Sequence, residues 1–261
     1  MTDEPVLLTR DNGIARLTLN RPQVGNAIDT AMAKALMHAS IDCDEDDTIR
    51  CVVLGSTGRL FCAGGDIGSF AAAGDAVPQL ITEMTGYLHA AMARFARMGK
   101  PMVTAINGPA AGAGFSLAML GDIVLAARSA HFTLAYSAIG LSPDGGSSWL
   151  LPRLVGLRRA QEMMLLNKRA SAEEAVQLGL ITRVVDDAAL AAETDAVAAT
   201  LAAGATGALG RARALLLSSF GATFETQMEA EARAIADSAR STEGREGIRA
   251  FLEKRKPDFK A

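Results

Sequence analysis

Short apolar runs alternate with longer segments of helical periodicity, and this alternation is the strongest constraint on the fold. Strand-like runs occupy 51–54, 101–106 and 122–126. Apolar residues at helical spacing occupy 76–98, and 29–43 also reads as a helix, with Asp29 placed to cap it. Strands that alternate with helices are typical of a layered α/β core. The sequence therefore predicts an α/β fold.

The two ends of the chain differ from this central pattern. Residues 5–19 alternate in polarity around Asp11-Asn12-Gly13, which predicts a β-hairpin. From Ala188 onward the chain reads as helical throughout. With 49% hydrophobic residues, the 261-residue chain can bury one large core with an appendage. We expect a core domain over 1–195 and a C-terminal helical region over 196–261.

The composition argues against several classes of function. A net charge of −3 and 5% aromatic residues argue against nucleic-acid binding. No apolar run reaches the roughly 20 residues that a membrane span requires. Three cysteines in no metal-ligand pattern predict no metal site and suit a reducing compartment. The N-terminus lacks the apolar segment of a signal peptide, so we expect a cytoplasmic location.

Two glycine-rich segments carry the candidate chemistry. Asp144 lies in the turn Gly-Leu-Ser-Pro-Asp-Gly-Gly at 140–146, which can hold a carboxylate rigidly next to a ligand. The run Gly112-Ala113-Gly114 opens a helix and can offer free backbone N–H groups to a developing anion. Together they suggest proton transfer beside a stabilised oxyanion. The alternative is that Asp144 only shapes its turn.

A third segment, Phe61-Cys-Ala-Gly-Gly-Asp-Ile67, follows the strand at 51–54. Its two consecutive glycines would let a ligand approach the backbone closely. The alternative is an ordinary loop between a strand and a helix.

Five motifs in order resemble the enoyl-CoA hydratase/isomerase (crotonase) family. They are Asn20-Arg-Pro-x-x-x-Asn-Ala27, Phe61-Cys-Ala-Gly-Gly-Asp66, Asn107-Gly-x-Ala-x-Gly-Ala-Gly114, the turn at 140–146, and Gly247-x-x-Ala-Phe-Leu-Glu-Lys-Arg255. The resemblance implies a crotonase-like spiral of ββα turns with a C-terminal helical trimerisation region. It also implies an acyl-CoA substrate, no cofactor apart from the coenzyme A of that substrate, and a homotrimer or a hexamer built as a dimer of trimers.

The resemblance also assigns roles to individual residues. The backbone N–H groups of Gly65 and Ala113 would form an oxyanion hole for the thioester oxygen, and Asp144 would be the catalytic acid/base. Losing one oxyanion donor typically costs about 10²–10³ in rate. The residues expected to contact the substrate or coenzyme A are Arg21, Ala63, Gly64, Asp66, Ile67, Gly68, Gly112, Tyr136, Phe251 and Lys254. The basic tail that carries Lys254 could instead be only a solvated end.

The type of crotonase chemistry depends on which carboxylates are present. Hydratases of the family use two glutamates, and their positions correspond here to Ser116 and Tyr136, neither of which is an ordinary base at neutral pH. Asp144 matches the acid of Δ3,Δ2-enoyl-CoA isomerases and of 2-(1,2-epoxy-1,2-dihydrophenyl)acetyl-CoA isomerases. One carboxylate can remove a proton and return it to another carbon. The resemblance therefore favours an isomerase of fatty acid metabolism or phenylacetate degradation.

Three alternatives stay open. The first is a hydratase, as a general family label would suggest. The second is a 4-chlorobenzoyl-CoA-type dehalogenase, in which Asp144 is a nucleophile and a catalytic histidine lies in the region of His89; such enzymes carry tryptophan where Tyr136 stands. The other interpretation of His89, which the sequence favours, is an ordinary surface or half-buried residue of a helix. The third is a crotonase-fold protein that binds its partner without catalysis.

Overall fold

The fold is built on a six-stranded sheet with a smaller three-stranded sheet beside it. The computed structural model describes residues 4–260. The strands are β1 Val6–Asp11, β2 Ile14–Leu19, β3 Cys51–Ser56, β4 Met102–Ile106, β5 Ala110–Ala111, β6 Ile123–Ala127, β7 His131–Thr133, β8 Ala170–Ser171 and β9 Arg183–Val185.

The large sheet has the order β1-β2-β3-β4-β6-β9. The first two strands form the antiparallel hairpin predicted around Asn12-Gly13. Every other neighbouring pair is parallel. Residues 51–54 and 102–103 are fully or almost fully buried, as strands with packing on both faces require. The predicted α/β class is confirmed.

The small sheet has the order β5-β7-β8 and lies next to the glycine-rich segments. A parallel bridge pairs Cys62 with Ala110, and another pairs Ile28 with Gly65. The first bridge fixes the loop after β3 against the start of β5, and the second fixes the same loop against the segment that contains Ile28. The chain segments that carry Gly65 and Ala113 therefore belong to a bonded framework.

The helices cover the sheets and continue to the C-terminus. They are α1 Thr30–Glu45, α2 Ile67–Ala73, α3 Val77–Arg97, α4 Ala113–Ala118, α5 Ser147–Val155, α6 Leu157–Leu165, α7 Ala172–Gln177, α8 Leu190–Ala203, α9 Thr206–Ser219, α10 Phe224–Arg240 and α11 Thr242–Leu252.

Local signals account for where several helices begin. The Asp29 carboxylate accepts a hydrogen bond from the Met32 N–H at 2.8 Å, which confirms the predicted cap of α1. Ser171 and Glu174 form the capping box of α7. α1 and α3 pack together over the sheet, where Leu36 and Leu88 are fully buried. Each such side chain contributes about 1.5–3 kcal/mol through burial.

Helix α8 connects the sheet to the C-terminal helices. Its Ala198 and Ala202 are buried against β3 and β4. Arg50 donates hydrogen bonds to the carbonyls of Ala202 and Gly204 at 2.7 Å each, which anchors the end of this helix. The division drawn after residue 195 falls within α8, and the organisation into a core and a helical region stays a prediction.

Within residues 4–260, no helix has both the length and the apolar character needed to cross a membrane. The same residues contain no group of three or more histidine, cysteine, aspartate or glutamate side chains arranged to hold a metal ion. The prediction that the N-terminus lacks a signal peptide depends partly on residues 1–3, which lie outside the described residues.

Candidate active site

Two glycine-rich loops meet at the candidate site with almost no space between their backbones. Gly112 has a φ of +53°, and a Cβ atom placed on it would lie 3.5 Å from the Cα of Gly64. On Gly114, a Cβ atom would lie 2.4 Å from the carbonyl oxygen of Cys62. A side chain on Gly114 would force the loops apart, and the left-handed backbone of Gly112 is one that residues with a Cβ atom rarely adopt, so glycine is favoured at both positions.

The backbone hydrogen bonds of these loops leave several N–H groups without an acceptor, among them those of Gly65 and Ala113. Ala63 donates to the Gly25 carbonyl at 2.9 Å, and Gly112 donates to the Thr133 carbonyl at 3.2 Å. Between residues 4 and 260, the N–H groups of Gly65 and Ala113 donate to no recorded acceptor. Ala113 is the first residue of α4, where an N–H has no partner inside the helix.

Gly65, Ala113 and Asp144 all line one cavity of about 400 Å³. Most of the cavity wall is apolar. Its lining residues are Ala63, Gly64, Gly65, Ile67, Phe70, Ile81, Met84, Thr85, Gly112, Ala113, Leu134, Ala135, Tyr136, Ile139, Leu141, Ser142 and Asp144. An apolar cavity with a few convergent polar groups is the usual form of a small-molecule site.

Several hydroxyl groups surround Asp144. The Tyr136 hydroxyl donates to its Oδ1 at 2.6 Å, the distance typical of a charge-assisted bond. The Asp144 backbone carbonyl accepts from the hydroxyls of Ser116 and Ser147, at 3.1 and 2.9 Å. The side chain is 22% exposed, so the carboxylate is reachable yet largely shielded from water.

His89 lies on the other side of Asp144. Its Nε2 atom is 3.9 Å from Asp144 Oδ2 and accepts a hydrogen bond from the Gly145 N–H at 3.1 Å. An imidazole nitrogen that accepts a hydrogen bond carries a lone pair, so this contact selects the tautomer protonated at Nδ1. His89 is half exposed on α3, as a surface helix residue would be, but it also contacts the Asp144 turn.

The side chains of Tyr136 and Cys62 stay protonated near neutral pH, so neither serves there as a base or a nucleophile. Burial, followed by the adjacent charge of Asp144, raises the pKa of Tyr136 well above its ordinary value. Burial likewise raises the pKa of the Cys62 thiol to about 12. Cys62 donates instead to the Asn26 carbonyl at 3.1 Å. Asp144 is the carboxylate among the residues that line this cavity.

Of the predicted binding residues, Ala63, Gly64, Ile67, Gly112 and Tyr136 line the cavity with the two free amides. Their contact with coenzyme A remains a prediction.

Arg21 and Asp66 lie beside the cavity and bind each other. Arg21 forms ion pairs with Asp29 at 3.0 Å and with Asp66 at 3.2 Å. Asp66 also caps α2 by accepting from the Ser69 N–H at 3.2 Å. Gly68 lies in the first turn of that helix. These contacts give Arg21 and Asp66 structural roles, and their contact with coenzyme A stays a prediction.

Phe251 and Lys254 do not line the cavity of their own protomer. Phe251 is 83% exposed at the end of α11, and Lys254 follows it with a φ of +53°. Their predicted role therefore requires a substrate held by a neighbouring subunit, or a part of coenzyme A outside the cavity.

A larger cavity of about 540 Å³ lies on the other side of the Asp144 turn. His89 and Gly145 contribute to its wall, together with Trp149 and Phe220, whose rings meet edge to face at 5.3 Å. It contains neither of the free amides and not the Asp144 side chain. Size alone would thus select the wrong cavity for chemistry.

The wall formed by α2 and α3 was not predicted from the sequence. Phe70, Ile81 and Thr85 line the cavity, and the helical periodicity of 76–98 had only indicated a buried face that includes Met84. The consecutive glycines at 64 and 65 were a signal that another group packs closely against this loop. That group is Phe70, since a Cβ atom on Gly65 would lie 2.9 Å from the Phe70 ring.

Comparison with known sequences agrees with this geometry. The family described as enoyl-CoA hydratase/isomerase matches residues 9–261. The chain is 41% identical over 258 residues to 1,2-epoxyphenylacetyl-CoA isomerase of Escherichia coli K12, covering 98% of each protein. It is 39% identical over 247 residues to a "Probable enoyl-CoA hydratase" of Rhodobacter capsulatus, covering 95% of this chain and 94% of the relative.

Solved structures give the same result. An enoyl-CoA hydratase from Polaromonas sp. JS666 superposes with a TM-score of 0.92 at 34% identity, covering 97% of this chain and 98% of the other. The spiral core and the C-terminal helices are shared along almost the whole length. The predicted crotonase-like fold is confirmed.

Proposed function

The chain belongs to the enoyl-CoA hydratase/isomerase family, and we propose that it is an acyl-CoA isomerase with Asp144 as its acid/base. The observation that carries the proposal is the common cavity of Asp144 and the free N–H groups of Gly65 and Ala113. The proposed substrate is a 3-enoyl-CoA or the ring epoxide of a phenylacetyl-CoA.

The two amides would bind the thioester carbonyl oxygen. When a proton leaves the carbon next to that carbonyl, negative charge moves onto the oxygen. Two fixed N–H donors stabilise this charge without reorganising, which lowers the barrier to enolate formation. The loops that hold them are fixed to the framework by the bridges at Cys62 and Gly65, so the donors are placed before the substrate arrives.

Asp144 would move the proton. For a 3-enoyl-CoA, its carboxylate removes a proton from C2, which gives a dienolate bound at the two amides. The same carboxyl group then returns the proton to C4, and the double bond lies between C2 and C3. One acid/base group is enough because no water is added.

The surroundings of Asp144 support isomerisation over hydration. Hydration needs a second group that activates water. Tyr136, one of the two positions where family hydratases carry glutamate, has a raised pKa, and its hydroxyl is bonded to Asp144. Ser116, the other position, is fully buried and donates to the Asp144 carbonyl. Both positions are thus occupied by groups that bind Asp144.

The proposal is tested with Asp144→Asn and a matched variant, Asp195→Asn, which removes an exposed carboxylate paired with Arg16. Both are assayed with 3-hexenoyl-CoA, by formation of the conjugated 2-enoyl thioester, and with 1,2-epoxyphenylacetyl-CoA. Asp144→Asn should lower kcat by about 10²–10⁴, the usual contribution of a positioned acid/base. Asp195→Asn should match wild type. Wild-type rates in Asp144→Asn would refute the assignment.

A dehalogenase is a second candidate because His89 lies 3.9 Å from Asp144. A dehalogenase would use Asp144 to attack an aromatic ring and a base to activate the water that hydrolyses the resulting ester. His89 Nε2 is already engaged by the Gly145 N–H, which disfavours that role. Chloride release from 4-chlorobenzoyl-CoA would support the dehalogenase, and its absence alongside 3-enoyl-CoA turnover would support the isomerase.

We also propose that the protein assembles as a homotrimer or a hexamer. The C-terminal helices expose large apolar side chains, among them Phe224, Ile235 and Phe251, each at least 73% exposed in the single chain. Large exposed apolar side chains gathered in one region are typical of a surface that a partner covers. Sedimentation velocity would distinguish one, three and six copies, and a monomer at micromolar concentration would contradict the assignment.

A further inference from the structure

Tyr136 binds one of the two carboxylate oxygens of Asp144 and leaves the other available. Its hydroxyl donates to Oδ1 at 2.6 Å. Oδ2 accepts no recorded hydrogen bond within the described residues, and His89 Nε2 lies 3.9 Å away, beyond bonding distance. The two oxygens of the proposed base are therefore in different environments.

The backbone around Tyr136 is arranged to deliver this contact. Ala135 has a φ of +58°, a left-handed conformation that is costly for a residue with a Cβ atom. The Tyr136 N–H donates to the Leu134 carbonyl at 2.7 Å, and the Tyr136 carbonyl accepts from the Leu141 N–H at 3.0 Å. Backbone strain at a non-glycine residue persists only where the surroundings enforce it.

The main chain of Asp144 is held separately from its side chain. Its carbonyl accepts hydrogen bonds from Ser116 and Ser147, and both serines are fully buried. With the backbone fixed in this way, the freedom that remains is rotation of the carboxymethyl group. The Tyr136 hydroxyl is the side-chain group bonded to that carboxylate in the described part of the chain.

We propose that Tyr136 is a positioning residue that fixes the carboxylate of Asp144 through Oδ1 and leaves Oδ2 free to exchange the proton. This inference rests on the proposed function, in which Asp144 moves the proton. Tyr136 itself moves no proton in this scheme, and its high pKa suits a permanent donor.

Losing this donor should change both the rate and the pH dependence. Tyr136 and His89 are the titratable groups that contact Asp144. A hydrogen bond to the charged carboxylate favours that form, so its removal favours the protonated, inactive form. The acidic limb of the pH–rate profile should therefore move to higher pH.

The experiment compares Tyr136→Phe with Tyr87→Phe, using 3-hexenoyl-CoA or whichever isomerase substrate the wild type turns over. Phenylalanine keeps the ring and removes only the hydroxyl. Tyr87 is the other tyrosine of the chain, half-buried on α3 and outside the cavity wall. Tyr136→Phe should lower kcat by about 10- to 100-fold, as loss of a hydrogen bond to a charged group does, with KM changed less than about threefold. Tyr87→Phe should match wild type.

The outcomes separate this inference from the proposed function. A lower kcat in Tyr136→Phe with a shifted acidic limb supports it. A wild-type kcat and pH profile in Tyr136→Phe, while Asp144→Asn is inactive, overturns the positioning role alone. A raised KM with an unshifted limb also overturns it, because Tyr136 would then act through substrate binding. An active Asp144→Asn variant overturns both.

Discussion

Gly64 approaches the backbone of Ala111 so closely that a Cβ atom on Gly64 would lie 2.9 Å from the Ala111 carbonyl oxygen. Because the Ala111 oxygen belongs to the backbone, no side-chain rotation can relieve this clash. This contact joins the loop that carries the Gly65 amide to the loop that carries the Ala113 amide. The spacing of the two proposed oxyanion donors therefore depends on a missing side chain at position 64.

Gly64→Ala should damage catalysis more than a comparable glycine substitution elsewhere. Gly64 has a φ of +97°, so alanine would be strained as well as blocked. Gly74→Ala is the matched control, since Gly74 has a φ of +51° with no atom within 4 Å of the added Cβ. We expect kcat/KM to fall about 10²–10³-fold in Gly64→Ala, the loss seen when one oxyanion donor is displaced. Gly74→Ala should lose stability only, and equal activities in the two variants would contradict this account.

Local signals in the sequence were sufficient for much of the fold. The Asn12-Gly13 turn and the Asp29 cap each depend on residues within a few positions of one another. The start of helix α2 was not predicted, because the segment 61–67 was expected only to let a ligand approach or to be an ordinary loop, whereas the helix begins at Ile67.

The contacts around Asp144 could not be predicted in this way. His89 and Asp144 are 55 positions apart, and they meet only because α3 packs beside the turn that precedes α5. Resemblance to the family pointed to Asp144, Gly65 and Ala113, which the structure places on one cavity. It did not indicate that Ser116 and Tyr136 both bind Asp144, because hydrogen bonds between distant segments depend on tertiary packing.

Asn26 should contribute strongly to stability because its side chain joins two loops in the interior. It is fully buried, and its amide group donates to the carbonyls of Thr57 and Leu60 at 2.8 and 2.9 Å. The side-chain carbonyl oxygen of Asn26 accepts a hydrogen bond from the Arg21 backbone N–H at 2.8 Å. Asn26→Ala leaves buried polar groups without this partner, at about 1–3 kcal/mol for each group left unsatisfied.

The control for that substitution is Asn12→Ala. Asn12 has nearly the same left-handed backbone, with a φ of 52° against 55° for Asn26, but it is exposed in the hairpin turn. Urea unfolding should show that Asn26→Ala loses about 2–4 kcal/mol more than Asn12→Ala. Similar losses in both variants would mean that backbone strain, and not the buried hydrogen bonds, sets the cost.

Hydration of crotonyl-CoA should be slow or undetectable. The Tyr136 hydroxyl donates to Asp144, and its raised pKa keeps it protonated near neutral pH. It therefore cannot act as the base that takes a proton from water. The Ser116 hydroxyl donates to the Asp144 carbonyl and is fully buried. Loss of the conjugated thioester absorbance would report hydration. Fast hydration that persists in Asp144→Asn would require a base elsewhere and would refute the isomerase assignment.

Glu246 should hold the C-terminal tail in a pH-dependent manner. It accepts from both terminal nitrogens of Arg255, from the Asp258 N–H at 3.0 Å, and from Arg249. These contacts, led by Arg255, depress its pKa far below the ordinary glutamate value of about 4.3. A depressed pKa means that the stabilisation is complete above pH 4.3 and is lost as the pH falls from there through the folded-state pKa.

Hydrogen exchange of residues 253–260, corrected for the intrinsic rate at each pH, measures whether the tail is held. At pH 7, Glu246→Gln should exchange faster than wild type, because a neutral amide binds the two arginines more weakly than a carboxylate. The difference should shrink as the pH falls below about 4.3, because Glu246 then protonates in the released state of the tail while it is still ionised in the held state. Glu253→Gln is the control, because Glu253 contacts Arg255 from an exposed position and does not bind Asp258. Equal exchange in the two variants at pH 7 would show that general loss of negative charge, and not the Glu246 contacts, loosens the tail.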